Sequence, residues 1–264
     1  MPKVSIALII SIFLFSFFGE YMYINDAYSL HKNAILVAPS SEFLLGTDRL
    51  GRDVLARLIE GGKVSLLIGV GSALIASFIG LLFGSMAGYL RGNSDKAFII
   101  IVDLFLTFPT FFLLLALVSY VNASVWILII IISITGWMTT ARLIRSESFK
   151  ITSQPFIKIL NIAKVSKLKI LFKYYAPLLA PIYFVSFTFG VGGAILAESS
   201  LSFLGLGIMA PQMSWGSILS NGKDVVEIAW WVSFFPGLMI FLVTFSLINI
   251  SNYLQQKTNK KEIQ

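Results

Sequence analysis

Cysteine is absent from this 264-residue sequence, and histidine occurs only once, as His31. The absence of cysteine excludes disulfide bonds, thiolate nucleophiles and cysteine metal sites, and a single histidine excludes a histidine-rich metal site. The sequence also lacks a glycine-rich phosphate loop of the form GxxxxGK followed by Ser or Thr. The chain therefore does not bind ATP through that motif, and we predict no metal site in it.

Charge is also scarce: 12% of the residues are charged, whereas 57% are hydrophobic. A soluble domain carries about 25% charged and about 45–50% apolar residues. Because so little charge cannot keep so much apolar surface in water, lipid is the expected solvent. We predict an all-α membrane protein with about six transmembrane helices. The net charge of +7 is typical of basic residues gathered on the cytoplasmic side of a membrane, and no nucleic-acid-binding motif is visible.

Six apolar runs are candidates for membrane spans, which need about 20 residues each. They cover residues 4–18, 64–90, 97–121, 125–141, 176–197 and 228–254. The first run is short and follows Lys3, as in a signal peptide, but Phe17 and Gly19 make a poor cleavage site. We predict that it is retained as the first span.

The distribution of Lys and Arg between the spans predicts the orientation. With both termini in the cytoplasm, the inside segments hold 14 basic and three acidic residues, and the outside segments hold six basic and nine acidic residues. The predicted organisation is a first transmembrane helix over 1–19 and an external segment with an amphipathic helix over 20–63. A transmembrane core over 64–254 contains a long basic cytoplasmic loop at 142–175, and a cytoplasmic tail covers 255–264.

Small residues recur at four-residue spacing in the second span, as Gly80, Gly84 and Gly88. The same spacing relates Gly69, Ala73 and Ser77, and the fifth span has Gly190, Gly193 and Ala197. Four-residue spacing places small side chains on one helical face, where another helix approaches closely. Packing within the chain is the simpler interpretation, and a face that slides against a second subunit is the alternative.

Asp103 is the only acidic residue inside a predicted span, six positions before Pro109. A carboxylate at membrane depth faces the bundle interior and has a partner. We interpret Asp103 as a structural cap or pair near the cytoplasmic end of the third span rather than as a proton or ion site. Pro109 removes a backbone hydrogen bond, so a kink is predicted there.

Three stretches carry a specific pattern. Residues 43–67 read FLLGTDRLGRDVLARLIEGGKVSLL, in which Thr47 or Asp48 can cap an amphipathic surface helix. Residues 198–222 read ESSLSFLGLGIMAPQMSWGSILSNG, in which Gly205 and Gly207 allow a sharp re-entrant turn. Residues 234–248 read FFPGLMIFLVTFSLI. In this order they resemble the permeases of the dipeptide, oligopeptide and nickel branch of ABC importers, from about residue 44 to the end of the sixth span.

One motif of that family is degraded here. Importer permeases carry a cytoplasmic loop of the form EAA…G, and aligning on Pro177 places its glycine at Lys164 and its alanine pair at Ile159 and Leu160. The resemblance implies a coupling helix seated in an ATPase groove, although a basic helix on anionic lipid is the alternative. The residues expected to couple to the ATPase are Phe156, Ile159, Leu160, Ala163, Lys164, Val165, Ser166 and Leu168.

The resemblance implies an importer permease in the bacterial inner membrane. Its expected partners are a second homologous permease, two ATP-binding subunits, an extracytoplasmic solute-binding protein and membrane lipid, with no nucleic acid. ATP and Mg²⁺ would be bound by the partner ATPase, so we expect no cofactor and no catalytic residue here. The expected substrate is a short peptide, or nickel as a metal chelate. An ion-coupled secondary transporter and a passive channel subunit are the alternatives. Candidates for the pathway or gate are Asp103, Glu198, Ser199, Ser202, Phe203, Gly205 and Gly207.

Overall fold

The computed structural model describes residues 2–262, with the side chains of 94, 161, 167, 168 and 259–262 left out. The described part is helical apart from turns and one isolated bridge between Thr47 and Asp53. The helices are α1 Lys3–Phe18, α2 Val54–Leu90, α3 Gly92–Thr107, α4 Thr110–Val118, α5 Val125–Ser153, α6 Pro155–Ile162, α7 Lys167–Ile170, α8 Ala176–Phe203, α9 Trp215–Gly222 and α10 Trp231–Glu262. A π-helical turn, Leu171–Tyr175, leads into α8.

Five helical segments are long and apolar enough to cross a membrane, and α3 with α4 supplies a sixth, broken span. The prediction of an all-α membrane protein with about six spans is confirmed. The predicted kink at Pro109 is also present, because α3 and α4 meet there at 78°. Phe108, the residue before the proline, has an extended backbone with ψ of 132°, as the proline ring requires.

The second spanning helix starts differently from the prediction. Neither Thr47 nor Asp48 caps a separate surface helix, because their side chains bond to the turns before α2. The Thr47 hydroxyl donates to the carbonyl of Ala34, and Asp48 Oδ1 accepts from the backbone N–H groups of Leu50 and Arg52. The helix begins at Val54, where Asp53 Oδ1 accepts from the N–H of Ala56 at 2.9 Å, and runs unbroken to Leu90.

The helix directions follow from which residues meet. Gly80 contacts Thr140 and Gly88 contacts Ser148, so α2 and α5 run parallel, and the broken span returns the chain between them. By contrast, α8 runs antiparallel to α2, since the Ser77 hydroxyl donates to the Tyr183 hydroxyl while Gly69 meets Ile195. Similar pairings orient α1 against α2 and α10 against α8. The start of α1 and the end of α10 therefore lie at one end of the bundle, called below the basic end.

Close approach explains the glycines of α2. A Cβ atom added to Gly84 would stand 2.4 Å from the carbonyl oxygen of Ala141, and one added to Gly88 would stand 2.6 Å from Ser148 Cβ. For the glycines at 80, 84 and 88, packing within the chain is confirmed and a face sliding on a second subunit is wrong. Gly193 differs, because an added Cβ there would meet nothing within 4 Å.

The first helix is part of this bundle. Ile12 is buried in a cluster with Leu58, Trp215 and Val243, and an added Cβ at Gly62 of α2 would overlap the side chain of Ser16. An apolar helix that packs between α2 and α10 in this way is typical of a membrane span. The packing agrees with the prediction that α1 is a span.

Candidate translocation and coupling sites

A cavity of about 500 Å³ lies between α2, α5 and α8, with contributions from the start of α4 and the end of α10. Its lining is made of small, apolar and hydroxyl side chains. The polar members are Ser72, Ser77, Thr110, Thr135, Thr139, Thr140, Ser186, Gln255 and Thr258. No charged residue is among the described residues that line it. The volume falls in the range of about 300–1,000 Å³ that small-molecule sites occupy.

Two features of the cavity wall concern its glycines and one buried hydroxyl. The glycines at 136, 190 and 193 leave room beside the helices, and Gly193 faces open space. The buried hydroxyl of Ser186 has no hydrogen-bond partner among the described residues. An unpaired buried hydroxyl costs about 1–3 kcal/mol, and this oxygen is closed off from the cavity in the conformation seen here. The wall offers weak, neutral hydrogen bonds and no fixed charge.

Glu198 lies elsewhere, near the end of α8 opposite to the basic end. Its carboxyl group is fully buried, and its Oε1 accepts hydrogen bonds from the hydroxyls of Ser202 at 2.6 Å and Ser214 at 2.5 Å. Ser214 also caps α9, with its Oγ accepting from the N–H of Ser217. One carboxyl group thus joins the last turn of α8 to the first turn of α9.

The neighbour of this cap, Trp215, continues the junction. Its backbone N–H donates to Ser65 Oγ at 3.0 Å and its indole N–H donates to the carbonyl of Leu58 at 2.9 Å, both on α2. The indole is completely buried, so it packs inside the bundle. Sequence reasoning did not identify Ser65, Ser214 or these bonds. The Ser-Trp-Gly run before a helix was the available signal, since serine is a preferred cap.

The structure brings together several of the predicted gate residues. Ser199 is buried next to Glu198 in the chain, and the turn after α8 uses Gly205 with φ of 81° and Gly207 packed against Ser202. Phe203 lies at the edge of this group, with the Lys223 ammonium 5.3 Å from its ring. We refer to Glu198, Ser199, Ser202, Ser214 and Gly207 as the α8–α9 junction.

Asp103 does not belong to that junction. Its carboxylate pairs with Arg142 of α5, and eight residues earlier in α3 Asp95 forms a two-point pair with Arg145, whose Nη2 lies 2.6 Å from Oδ2. Both pairs join α3 to α5, and α3 buries few side chains of its own. Asp103 has a partner, as predicted, and Arg142 comes from a distant part of the sequence. The predicted position in the bundle interior is wrong, because the Asp103 side chain is 56% exposed.

The predicted coupling residues divide between two faces of α6 and the turn after it. Ile157 is fully buried and Leu160 partly so, against Ile144, Ile151 and Tyr175. On the opposite side of the helix Ile159 and Ile162 are 64% and 81% exposed, and Phe156, at the first turn of α6, is 39% exposed. Ala163, Lys164 and Ser166 are exposed and Val165 is half-buried; the side chain of Leu168 lies outside the described part of the chain.

The turn after α6 keeps the shape that a glycine would provide. Lys164 has φ of 53°, and the N–H of Val165 donates to the carbonyl of Leu160 at 3.1 Å. A bond that reaches back five residues over a left-handed residue is the pattern with which helices commonly end, usually with glycine at the left-handed position. The family's glycine is replaced here, but the backbone conformation is retained.

A tyrosine that sequence reasoning did not single out connects this turn to the spans. Tyr175, the last residue of the π-helical turn, is fully buried. Its hydroxyl bonds to the hydroxyl of Thr152 at the end of α5, and its ring packs edge-on against Tyr89 of α2, 5.5 Å away. Three helix ends therefore meet at this one ring.

The comparisons with known proteins agree with this architecture. Residues 80–260 match the family described as "Binding-protein-dependent transport system inner membrane component". The oligopeptide transport system permease protein OppC of Haemophilus influenzae is 32% identical over 87% of this chain and 75% of that protein. The dipeptide permease DppC of Bacillus subtilis is 33% identical over 84% and 70%. The di/tripeptide permease DppC of Pseudomonas aeruginosa is 31% identical over 92% and 82%.

A solved structure shows the same fold. A chain of the MetNI methionine ABC transporter, in an inward facing conformation, has a TM-score of 0.59 over 75% of this chain and 96% of that chain. The sequences are 15% identical, so this likeness concerns the fold alone.

The bundle of five to six apolar spans and the family match define a multi-pass transport component of the inner membrane. The chain belongs to the binding-protein-dependent transport system inner membrane components, the permease subunits of ABC importers. The resemblance to the peptide branch of that family is confirmed.

Proposed function

We propose that this chain forms half of a translocation pathway for short peptides, together with a second homologous permease. The observation that carries the proposal is the cavity between α2, α5 and α8, whose described lining is neutral and rich in hydroxyl groups. Peptides share a backbone of amide donors and acceptors but differ in side-chain charge. Neutral hydroxyls can bond to any such backbone, and an uncharged wall neither traps nor repels charged side chains.

Two ATP-binding subunits and an extracytoplasmic binding protein complete the proposed assembly. The binding protein delivers the substrate, and closure of the ATPases moves α6 and with it the ends of α5 and α8. Rigid-body movements of this kind alternate a pathway between its outward-open and inward-open states. In this mechanism the chain contributes no catalytic residue and no cofactor, since ATP and Mg²⁺ are held by the ATPases. The predicted gate is the α8–α9 junction.

Uptake into proteoliposomes tests this proposal. The complex is reconstituted with its binding protein and ATP, and a labelled tripeptide is compared with a nickel chelate. We expect ATP-dependent uptake of the tripeptide only. Uptake of the nickel chelate alone would assign the chain to the other substrate class, and uptake driven by an ion gradient without ATP would contradict the importer mechanism.

A size series at Gly193 tests the pathway itself. An alanine there meets no atom within 4 Å, whereas a phenylalanine projects into the cavity. We expect Gly193→Ala to transport normally and Gly193→Phe to lose most of its uptake while still assembling with the ATPases. Normal uptake by Gly193→Phe would show that the substrate passes elsewhere.

A further inference from the structure

The segment that follows α5 has basic residues and no acidic ones. Between Glu147 and Glu198 the sequence contains no Asp or Glu, and all five lysines of residues 155–175 fall in this interval. Four of these lysines have described side chains, and all four are exposed: Lys158, Lys164, Lys169 and Lys173. None of them takes part in an ion pair within the described part of the chain. These lysines are therefore available to an acidic partner on another molecule.

Apolar side chains are exposed next to these cations. Phe156, Ile159 and Ile162 recur at three-residue spacing on α6, which places them along one helical face. Lys158 lies beside Ile162 on the same side of the helix, because its position is opposite to the buried Ile157 and Leu160 face. Enrichment of lysine on the cytoplasmic side explains the charges, but it does not explain apolar residues exposed between them. The mixed face is typical of a surface that docks a protein.

The length of α5 places this face outside the hydrocarbon core of the membrane. Its 29 residues extend about 43 Å at a rise of about 1.5 Å per residue, against about 30 Å for the hydrocarbon core. The helix therefore reaches roughly 10 Å beyond the apolar layer when its first turn lies at the opposite interface. Since α6 begins two residues after α5 ends, it lies outside the hydrocarbon core, at the outer edge of a bilayer that is about 40–45 Å thick with its headgroups. An ATP-binding subunit in the aqueous phase can reach it there.

We propose that this face docks into a groove of an ATP-binding subunit whose rim is acidic, with Lys158 as the cation that pairs with that rim. The inference rests on the proposed function for the existence of the ATPase partner, and it adds the charge of the groove. Phe156, Ile159 and Ile162 fill the apolar floor, and Lys158 selects the subunit by charge. An ATPase with a basic or neutral rim is then disfavoured, because like charges at an interface repel.

Charge variants of the complete complex test the inference. The chain is placed with its sister permease in nanodiscs made only of phosphatidylcholine, and binding of the purified ATPase is measured at rising NaCl concentrations. We expect Lys158→Glu to weaken binding about tenfold at low salt and Lys158→Gln to weaken it less. The deficit should shrink towards 1 M salt, where the screening length falls to about 3 Å.

Lys173→Glu is the matched control, because Lys173 is equally exposed in the same basic segment but lies outside α6. We expect this variant to bind the ATPase within about twofold of the unmodified chain, since a charge away from the docking face contributes little. Replacing acidic rim residues of the ATPase one at a time by lysine should restore binding to Lys158→Glu at one position.

Other outcomes overturn the inference in distinct ways. Unchanged ATPase binding by Lys158→Glu would refute the inference of an acidic rim and would leave the proposed importer function standing. Equal losses for Lys158→Glu and Lys173→Glu, or a loss seen only when anionic lipid is added, would assign the lysines to the membrane surface. Failure of the unmodified chain to bind any ATP-binding subunit would instead refute the proposed function, and the inference with it.

Discussion

Replacing Lys164 by glycine should stabilise the turn after α6. A residue with a Cβ atom in the left-handed region carries a cost of roughly 1–2 kcal/mol that glycine avoids, and Lys164 has φ of 53°. Glycine also has more conformational freedom than alanine when the turn is open, and this offsets about 0.5–1 kcal/mol of that stabilisation. We therefore expect a net gain of roughly 0.5–1 kcal/mol for Lys164→Gly over Lys164→Ala, two variants that both remove the ammonium group.

Position 169 provides a control of opposite sign. Lys169 lies inside the α-helical turn α7, where glycine costs about 1 kcal/mol relative to alanine. The preference for glycine at 164 and for alanine at 169 cannot arise from loss of positive charge, because all four variants lose one lysine charge.

Hydrogen exchange measures this local effect directly. The N–H of Val165 bonds to the carbonyl of Leu160, so its protection reports how often the turn opens. A difference of about 0.7 kcal/mol corresponds to roughly a threefold change in the opening constant. Slower exchange in Lys164→Ala than in Lys164→Gly would refute the left-handed conformation and, with it, the retained shape of the coupling turn.

Three further predictions concern packing, a buried hydroxyl and pH. Gly84→Ala forces its new Cβ atom to within 2.4 Å of the Ala141 carbonyl oxygen. This variant should lose about 1–3 kcal/mol of stability and melt at a lower temperature in detergent, whereas the control Gly193→Ala should not. Equal melting temperatures for the two variants would contradict the packing. Tyr175→Phe removes the hydroxyl that bonds to Thr152 and should lower the free energy of unfolding by about 1 kcal/mol. It should also reduce the amount of peptide taken up per ATP hydrolysed. An unchanged ratio of uptake to hydrolysis would show that only the ring of Tyr175 matters. Burial, with the hydrogen bond to Asp53, raises the pKa of Tyr23 to about 12. The neutral phenol therefore stabilises the fold below pH 10, and that stability is lost between about pH 10 and 12. In thermal unfolding, Tyr23→Phe should lose less stability over this pH range than the unmodified chain.

The three groups of residues to which we assign roles in transport lie at different depths along the bundle. The coupling turn is at the basic end, the neutral cavity lies between the spans, and the α8–α9 junction is at the opposite end. One helix, α8, contributes to the cavity and the junction and is preceded directly by the π-helical turn that carries Tyr175. A displacement of α6 can therefore reach the junction through a single element. This arrangement suits the alternating access that we propose.

The sequence by itself determined the membrane class, the number of spans, the kink at Pro109 and the family. These follow from local properties, because a span needs about 20 apolar residues whatever its neighbours are and a proline lacks its N–H in every context. The motifs of residues 43–67 and 198–222 could also be recognised from the sequence, because each is a continuous stretch of the chain.

Only the tertiary structure decided which residues meet. Arg142 is 39 residues from Asp103 and Trp215 is 150 residues from Ser65, and no local pattern encodes such pairings. The faces of Gly84 and Gly193 look alike in sequence, yet one is pressed against α5 and the other lines the cavity. The sequence shows only that the glycine is replaced at Lys164, whereas the structure shows that the hydrogen bond that ends α6 holds the lysine in the conformation that glycine adopts with less strain. Contacts between distant residues outweigh local preference at these positions, because the energy that selects each conformation comes from neighbours that the linear sequence does not place nearby.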